Sequence, residues 1–355
     1  MKRIVCFHLL NDYSGSPKVL YMVLKGLLER GYKVELVSSR GGVLDGLDRY
    51  PGLKRHYYSY AFSDNAAVTM FRYLVVQIYT FFFSFRYLFS RDCVFYINTL
   101  LPAGPALAGR IMGKRVVYHY HENAFAKGAF YKALAGAMQH LAHEIICVSA
   151  YQASFLKRRE GVTVIPNALT DEFIGRLHPD PEAAFRRRNV LMLSSLKEYK
   201  GTGGFLELAR RLPQFSFTLV INDTEDNIGR CLTDIPENAS VYPRQSDVYR
   251  FYNRASLVLN LTDKTKAVET FGMTVLEAMS AGLPVIVPTV GGIAEMVEDG
   301  VNGFKIDVRE PDRICECISS VFADEKFYLD LSMRALEFSG KFREKDMVDN
   351  IVRVF

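Results

Sequence analysis

Apolar and polar positions along this chain follow one recurring order. Short, apolar, β-prone runs predict buried parallel strands, and each is followed by turn residues and then by helical spacing. Ile4 to Leu9 reads as the first strand, Asn11 to Pro17 as a turn opening a helix to about Arg30, and Lys33 to Ser38 as the next strand. Gly31 stops the helix, and Pro17 suits its first turn. This βαβ order implies an α/β fold built on a doubly wound parallel sheet, with ligands at the carboxyl ends of the strands. Asp92 to Ile97, Arg115 to His121, Ile145 to Val148 and Val162 to Ile165 extend the series, with a helix around Pro102 to Met112.

A second series starts at Val190 to Leu193. A Gly-rich loop follows over 194–204, then a helix over Phe205 to Leu212 and strands over Phe217 to Ile221, Ser256 to Leu261 and Val285 to Val287. Neither series carries the full G-x-G-x-x-G spacing, and Lys200-Gly201-Thr-Gly203-Gly204 is not a P-loop, so neither a dinucleotide site nor a nucleotide hydrolase is predicted. At 355 residues the chain exceeds the size at which one core stops growing. The boundary falls in the polar stretch after Pro166-Asn167-Ala168, which holds Pro179, Pro181 and Arg186-Arg187-Arg188 with little periodicity. The expected organisation is a first domain over 1–168, a linker over 169–189, a second domain over 190–338, and a C-terminal helix over 339–355 packing back toward the first domain.

Ala66 to Ser90 breaks the pattern. It is apolar nearly all round, with Phe71, Leu74, Val75, Ile78, Phe82 and Phe89 among its large side chains. Its length allows a membrane span. Arg72 and Arg86 within it would be expensive in hydrocarbon. A core helix and a helix lying at a membrane interface are the other two readings.

Composition adds less. Apolar residues make up 49% and charged residues 23%, as in an ordinary globular protein. The six cysteines are scattered, without C-x-x-C spacing, and read as buried free thiols in a reducing cytoplasm. The apolar run after Met1-Lys-Arg3 is too short for a signal peptide. Charge is uneven: residues 1–180 hold 22 Lys+Arg against 13 Asp+Glu, a balance of +9, which leaves −4 for the remainder of a chain whose total is +5. A basic first half suggests contact with something anionic. No nucleic-acid motif accompanies the charge, so nucleic acid is not an expected partner.

Candidate chemistry sits at three places. His119 and His121 lie on one face of a strand by period two, so an H-x-H metal pair is one reading; no third ligand is apparent, and His121 at a strand end equally suits hydrogen bonding to a ligand. His140 and His143-Glu144 lack H-E-x-x-H spacing and read as helix surface. The third place is Glu269-Thr-Phe271-Gly272-Met273-Thr274-Val-Leu-Glu277, at a strand-to-helix junction. A helix starting near Gly272 would offer free amides and a positive dipole end to a phosphate. Thr274 and Glu277 also spell a capping box, in which Glu277 merely serves its own helix.

Taken together, these motifs resemble the retaining, family-four sugar-nucleotide glycosyltransferases of the GT-B type. The resemblance rests on Glu269-x7-Glu277 with Phe271-Gly272, Glu277-Ala-Met and Gly282-Leu-Pro284-Val. It extends to Gly291-Gly292-x-x-Glu295, Gly300-x-x-Gly303, Val164-Ile-Pro166-Asn167, Val148-Ser149-Ala150 and Lys200-Gly201. It implies two Rossmann-like domains facing an interdomain cleft, with a nucleoside-diphosphate sugar as donor substrate, UDP- or GDP-linked, and no cofactor or metal. Lys200 would neutralise the diphosphate, Glu277 would hold the ribose hydroxyls, and Glu269 would sit near the transferred sugar. Amides from Phe271 through Met273 to Thr274 would support sugar and phosphate, His121 would bond a sugar hydroxyl, and Gly15-Ser16 would approach the phosphates. Ser194-Ser195 stand where the family usually has Gly-Arg, and Arg244 is the candidate to replace the missing cation near Ser195. The implied activity is hexosyl transfer to a saccharide or lipid-linked acceptor in bacterial surface polysaccharide assembly. The protein is accordingly expected in the cytoplasm, in peripheral contact with an anionic membrane. A sugar-nucleotide-binding partner protein and an enzyme with a small soluble acceptor are the alternatives.

Overall fold

The computed structural model describes residues 3–355. The chain divides into two units, Met1–Ala168 with Glu344–Phe355, and Leu169–Arg343.

In the first unit, β1 (Arg3–Phe7), β2 (Lys33–Ser38), β3 (Leu53–Tyr57), β4 (Cys93–Asn98), β5 (Arg115–Tyr120), β6 (Glu144–Cys147) and β7 (Val162–Val164) form one sheet in the order β3-β2-β1-β4-β5-β6-β7. Every pairing is parallel. Right-handed crossovers then put helices on opposite faces according to the direction of travel along the sheet. Helix α1 (Gly15–Glu29) covers one face, and α2 (Ala66–Ser84), α3 (Ala103–Ile111) and α4 (Ala129–Leu141) cover the other. On the α1 face, Leu20, Leu24, Leu27 and Leu36 share a core with Met347, Val348 and Ile351 of the C-terminal helix Glu344–Val354. Arg30 to Asp349 and Lys25 to Glu344 are ion pairs at the margin of that contact. On the opposite face, Phe7, Phe95, Ile97, Tyr118 and Tyr120 form a second core.

In the second unit, β8 (Asn189–Ser194), β9 (Ser216–Ile221), β10 (Ala239–Tyr242), β11 (Leu257–Leu259), β12 (Val285–Val287) and β13 (Gly303–Lys305) pair in the order β10-β9-β8-β11-β12-β13, again all parallel. Leu191, Leu219, Val258 and Ile286 are fully or almost fully buried, and Phe205 meets Phe217 edge-on at 5.3 Å.

Several expectations shift. The first strand ends at Phe7, two residues before Leu9, although the His8 amide still donates to Val37 O of β2 at 3.0 Å. Strands β3, β10 and β13 went unpredicted because their sequences, such as Leu53-Lys-Arg-His-Tyr57, are half-exposed and lack an apolar run. Residues 169–189 hold two short helices, Asp171–Ile174 and Pro181–Arg187, each capped by a side chain, Thr170 and Asp180. His143 is not helix surface: it precedes β6, and its Nδ1 accepts from Val116 N at 3.0 Å. All six cysteines are free, but only Cys6, Cys93 and Cys147 are buried.

Candidate active site

Parallel register brings three strand ends together in the first unit. Phe7 pairs with Ile97, and Ile97 pairs with Tyr118, so the residues following β1, β4 and β5 emerge side by side. Asn98 is the centre of the resulting polar group. Its Oδ1 accepts from His121 Nε2 at 3.0 Å, and its Nδ2 donates to His8 Nδ1 at 3.0 Å. His119 lies one strand period before His121, their rings 4.1 Å apart, and its Nδ1 shares a hydrogen bond with Tyr96 OH at 2.6 Å. Burial pushes His8 down to about 4 and His119 to about 3, and holds His121 well below the usual imidazole range, so all three are neutral near pH 7. His119 and His121 thus bond Tyr96 and Asn98, and among the described residues no group of three or more His, Cys, Asp or Glu could hold a metal ion.

Next to Asn98 stands Thr99 at φ 74°, a β-branched residue in the left-handed region. Such strain persists only where surroundings over-determine it, and it concentrates at functional sites. Here Thr99 N donates to His119 O at 2.9 Å. Leu100 N then reaches Glu122, at 3.2 Å from each carboxylate oxygen. Burial raises the Glu122 carboxyl. Gln152 bridges the same end of the sheet, donating to Glu122 O at 2.9 Å and accepting from Val148 N at 2.9 Å. The Val148-Ser149-Ala150 motif therefore has a local purpose: Ser149 caps the short helix that carries Gln152. Gly15 and Ser16 form the first turn of α1, whose N-terminus has no side-chain cap; a Cβ on Gly15 would meet nothing within 4 Å.

In the second unit, Lys200 and Glu269 meet directly as an ion pair, each about a quarter exposed. Thr262 Oγ1 donates to the same Glu269 oxygen at 3.4 Å. The Glu269 backbone carbonyl accepts from Gly292 N at 2.9 Å, and a side chain on Gly291 would come within 2.6 Å of that carbonyl, which accounts for the first glycine of the pair. Helix Met273–Ser280 begins at Gly272, which sits at φ 99° with Ile293 Cγ1 2.6 Å from where a Cβ would be. Its N-cap makes no side-chain hydrogen bond, and no acidic residue lies in its first turn. The first-turn amides at Met273 and Thr274 are thus oriented for an anion.

The capping-box reading is overturned here. Gly272, not Thr274, is the cap, and the Glu277 carboxylate accepts from Tyr252 OH at 2.5 Å. Tyr252 is buried, and burial beside Glu277 raises its phenol well above the usual range, so it remains a donor. Sequence reasoning missed Tyr252; the only signal was an aromatic residue with a polar tip. Phe271 is buried against Phe342, with ring centroids 5.9 Å apart. Ser195 lies on the same loop as Lys200 and is half-buried, its carbonyl accepting from Ser194 Oγ at 3.4 Å. Arg244 sits beyond β10, bonded to Asn222 Oδ1 at 2.7 Å.

Two doubly wound parallel units, one bearing a lysine–glutamate pair beside an uncapped helix start, define a GT-B-type glycosyltransferase architecture. Residues 13–173 match the family described as Glycosyltransferase Family 4, and residues 177–338 match Glycosyl transferases group 1. The chain belongs to the group 1 glycosyltransferases. A human subunit of phosphatidylinositol N-acetylglucosaminyltransferase is 26% identical over 97% of this chain and 70% of that protein. A sucrose synthase of Acidithiobacillus caldus is 42% identical over 72 residues, which span 19% of this chain but only 9% of the relative. Among solved structures, Anabaena Alr3699/HepE in complex with UDP and glucose superposes with a TM-score of 0.77 at 19% identity, covering 99% of both chains.

Proposed function

We propose that this enzyme moves a hexose from a nucleoside-diphosphate sugar to a saccharide or polyprenyl-linked acceptor, with retention of anomeric configuration, in bacterial surface polysaccharide assembly in the cytoplasm. The observation that carries this reading is the Lys200–Glu269 pair on the same unit as the uncapped start of helix Met273–Ser280. Departure of the diphosphate breaks the bond from its oxygen to the anomeric carbon and builds negative charge on phosphate. Lys200 and the amides of Met273 and Thr274 would stabilise that charge as it forms, which is how preorganised sites lower such barriers. The acceptor hydroxyl oxygen bonds to the anomeric carbon from the same face, and its proton passes to the leaving phosphate. Glu277, oriented by Tyr252, is assigned to the ribose hydroxyls, Glu269 to the transferred sugar and His121 to a sugar hydroxyl. These positive groups come from the protein, so the step needs no metal.

The Anabaena structure holds UDP and glucose, which makes UDP-sugars the first donors to test, with GDP-sugars beside them. The human relative's name specifies phosphatidylinositol, which supports a lipid-borne acceptor over a small soluble one. The test is turnover of a UDP- and GDP-sugar panel with membrane extract as acceptor source. Transfer with retained configuration is expected. Donors that raise the melting temperature yet give neither transfer nor hydrolysis would instead make this a sugar-nucleotide-binding partner protein, the reading that Ser195 favours by leaving the loop one cation short.

A further inference from the structure

Helix α2 turns most of its large apolar side chains outward. Its inward positions include Thr80 and Ser84, whose hydroxyls bond back to the helix's own carbonyls of Val76 and Thr80, each at 2.7 Å. Its outward positions carry Phe71, Ile78 and Phe82, exposed by 68%, 60% and 67%, with Leu74 and Val75 between them. Spacings of seven and four residues place Phe71, Ile78 and Phe82 along one stripe. The stripe is not isolated. α2 packs on α3, which exposes Leu107 and Ile111, and α3 packs on α4, which exposes Phe130; just beyond α2, Phe89 is 94% exposed. An apolar surface of this kind on one face of a folded unit marks an interaction site.

Charge identifies the occupant. Between residues 66 and 143 there are eight Lys+Arg and only two Asp+Glu. One of the two acids, Glu122, is half-buried and bonded to backbone amides. Arg72, Arg86, Arg110, Lys127 and Lys132 are all exposed, and Arg86 lies over the Phe83 ring at 4.4 Å. Apolar stripe plus basic margin is the pattern of a helix lying in an anionic lipid interface. A second copy of the same face would bring like charges together, which opposes self-association. The segment Ala66–Tyr87 is long and apolar enough to cross a membrane, but α2 is fastened to its unit along one side. Tyr73 and Val76 enter a core with Leu9 and Tyr60, Tyr73 OH donates to Leu101 O at 2.9 Å, and Gln77 Oε1 accepts from Gly104 N at 2.9 Å. Only its outer face is available to lipid.

We propose that the outer face of α2, α3 and α4 docks on an anionic bilayer surface, with Phe71, Ile78 and Phe82 entering the headgroup–acyl boundary and the surrounding arginines and lysines meeting phosphates. The face stands on exposure and charge and does not rest on the transfer reading, since vesicle binding is measured without turnover. The experiment is flotation of the full chain with vesicles of equimolar phosphatidylcholine and phosphatidylglycerol, against pure phosphatidylcholine. Flotation with the anionic vesicles is expected, weakened about tenfold or more in high salt or on neutral lipid. The exposed triple substitution Phe71→Ser, Ile78→Ser, Phe82→Ser should abolish flotation at unchanged melting temperature and unchanged donor hydrolysis. Absence of wild-type flotation would overturn the proposal, as would undiminished flotation of the triple variant. So would a wild-type dimer that the triple variant dissociates, which would make the face a self-interface.

Discussion

Asn98 and His121 are joined by a 3.0 Å hydrogen bond in which the amide carbonyl accepts from Nε2, while the amide nitrogen donates to His8 at 3.0 Å. Because both imidazoles are neutral, this one side chain sets which nitrogen of each ring carries its proton. Asn98→Ala should cost roughly 1–3 kcal/mol of stability, since it strips a buried donor and acceptor of their partner. Turnover should fall further than donor affinity, because the ring of His121 loses its hydrogen bond to the Asn98 carbonyl. Unchanged kcat with a raised KM would remove Asn98 from this positioning role.

Stability should fall on mild acidification. Unfolded histidines titrate near pH 6.5, whereas burial holds His8 at about 4 and His119 at about 3. Between those values the unfolded chain binds protons that the folded chain does not, so stability is present above about pH 6.5 and is lost as pH drops through the folded values. At about 1.4 kcal/mol per unit, His8 alone accounts for roughly 3 kcal/mol. Glu122, raised by burial, has the opposite sign and offsets part of the loss at the acid end. Thermal melts from pH 7 to pH 4 read this directly. The decline should be shallower in His8→Gln, and a flat wild-type profile from pH 6.5 to pH 4.5 would count against the neutral histidine group.

Lys200→Ala should lower turnover about 100-fold, in line with the loss of one preorganised charge-stabilising donor. Its effect on folding should stay within about 1 kcal/mol, because a quarter-exposed ion pair with Glu269 is weakly stabilising. Equal turnover in the variant and wild type, measured at saturating donor, would withdraw the phosphate assignment.

Tyr252→Phe removes the hydroxyl that bonds Glu277 at 2.5 Å while preserving the buried ring. Hydrogen bonds to charged groups are worth about 1.5–3 kcal/mol. Donor KM should therefore rise roughly tenfold or more, with kcat less affected, since the assigned contact is to the ribose and not to the reacting carbon. Calorimetric titration with UDP would show the same weakening, and unaltered UDP affinity would detach Glu277 from the nucleotide.

Both sheets were legible along the chain because a parallel strand buried on two faces must be a continuous apolar run, as in Val190 to Leu193 and Val285 to Val287. The edge strand Leu53–Tyr57 was not, since it is half-exposed and needs no such run. The motif Glu269-x7-Glu277 was visible as spacing, and the glycines around it follow from backbone geometry, with Gly272 and Gly291 both at positive φ. What the sequence determined by itself was therefore the order of elements, the helix start at Gly272 and the identity of the ionisable groups. Only the tertiary structure decided their partners. Glu277 lies where it could satisfy its own helix, and only the fold brings Tyr252, 25 positions away, to donate to its carboxylate. Asn98 carries no signal of its own along the chain; strand register places it between His8 and His121. Local sequence constrains backbone conformation, but hydrogen bonds across neighbouring strand ends depend on register. The same holds for the outer face of α2: its apolar run left three readings open, and packing decided which face meets the core and which does not.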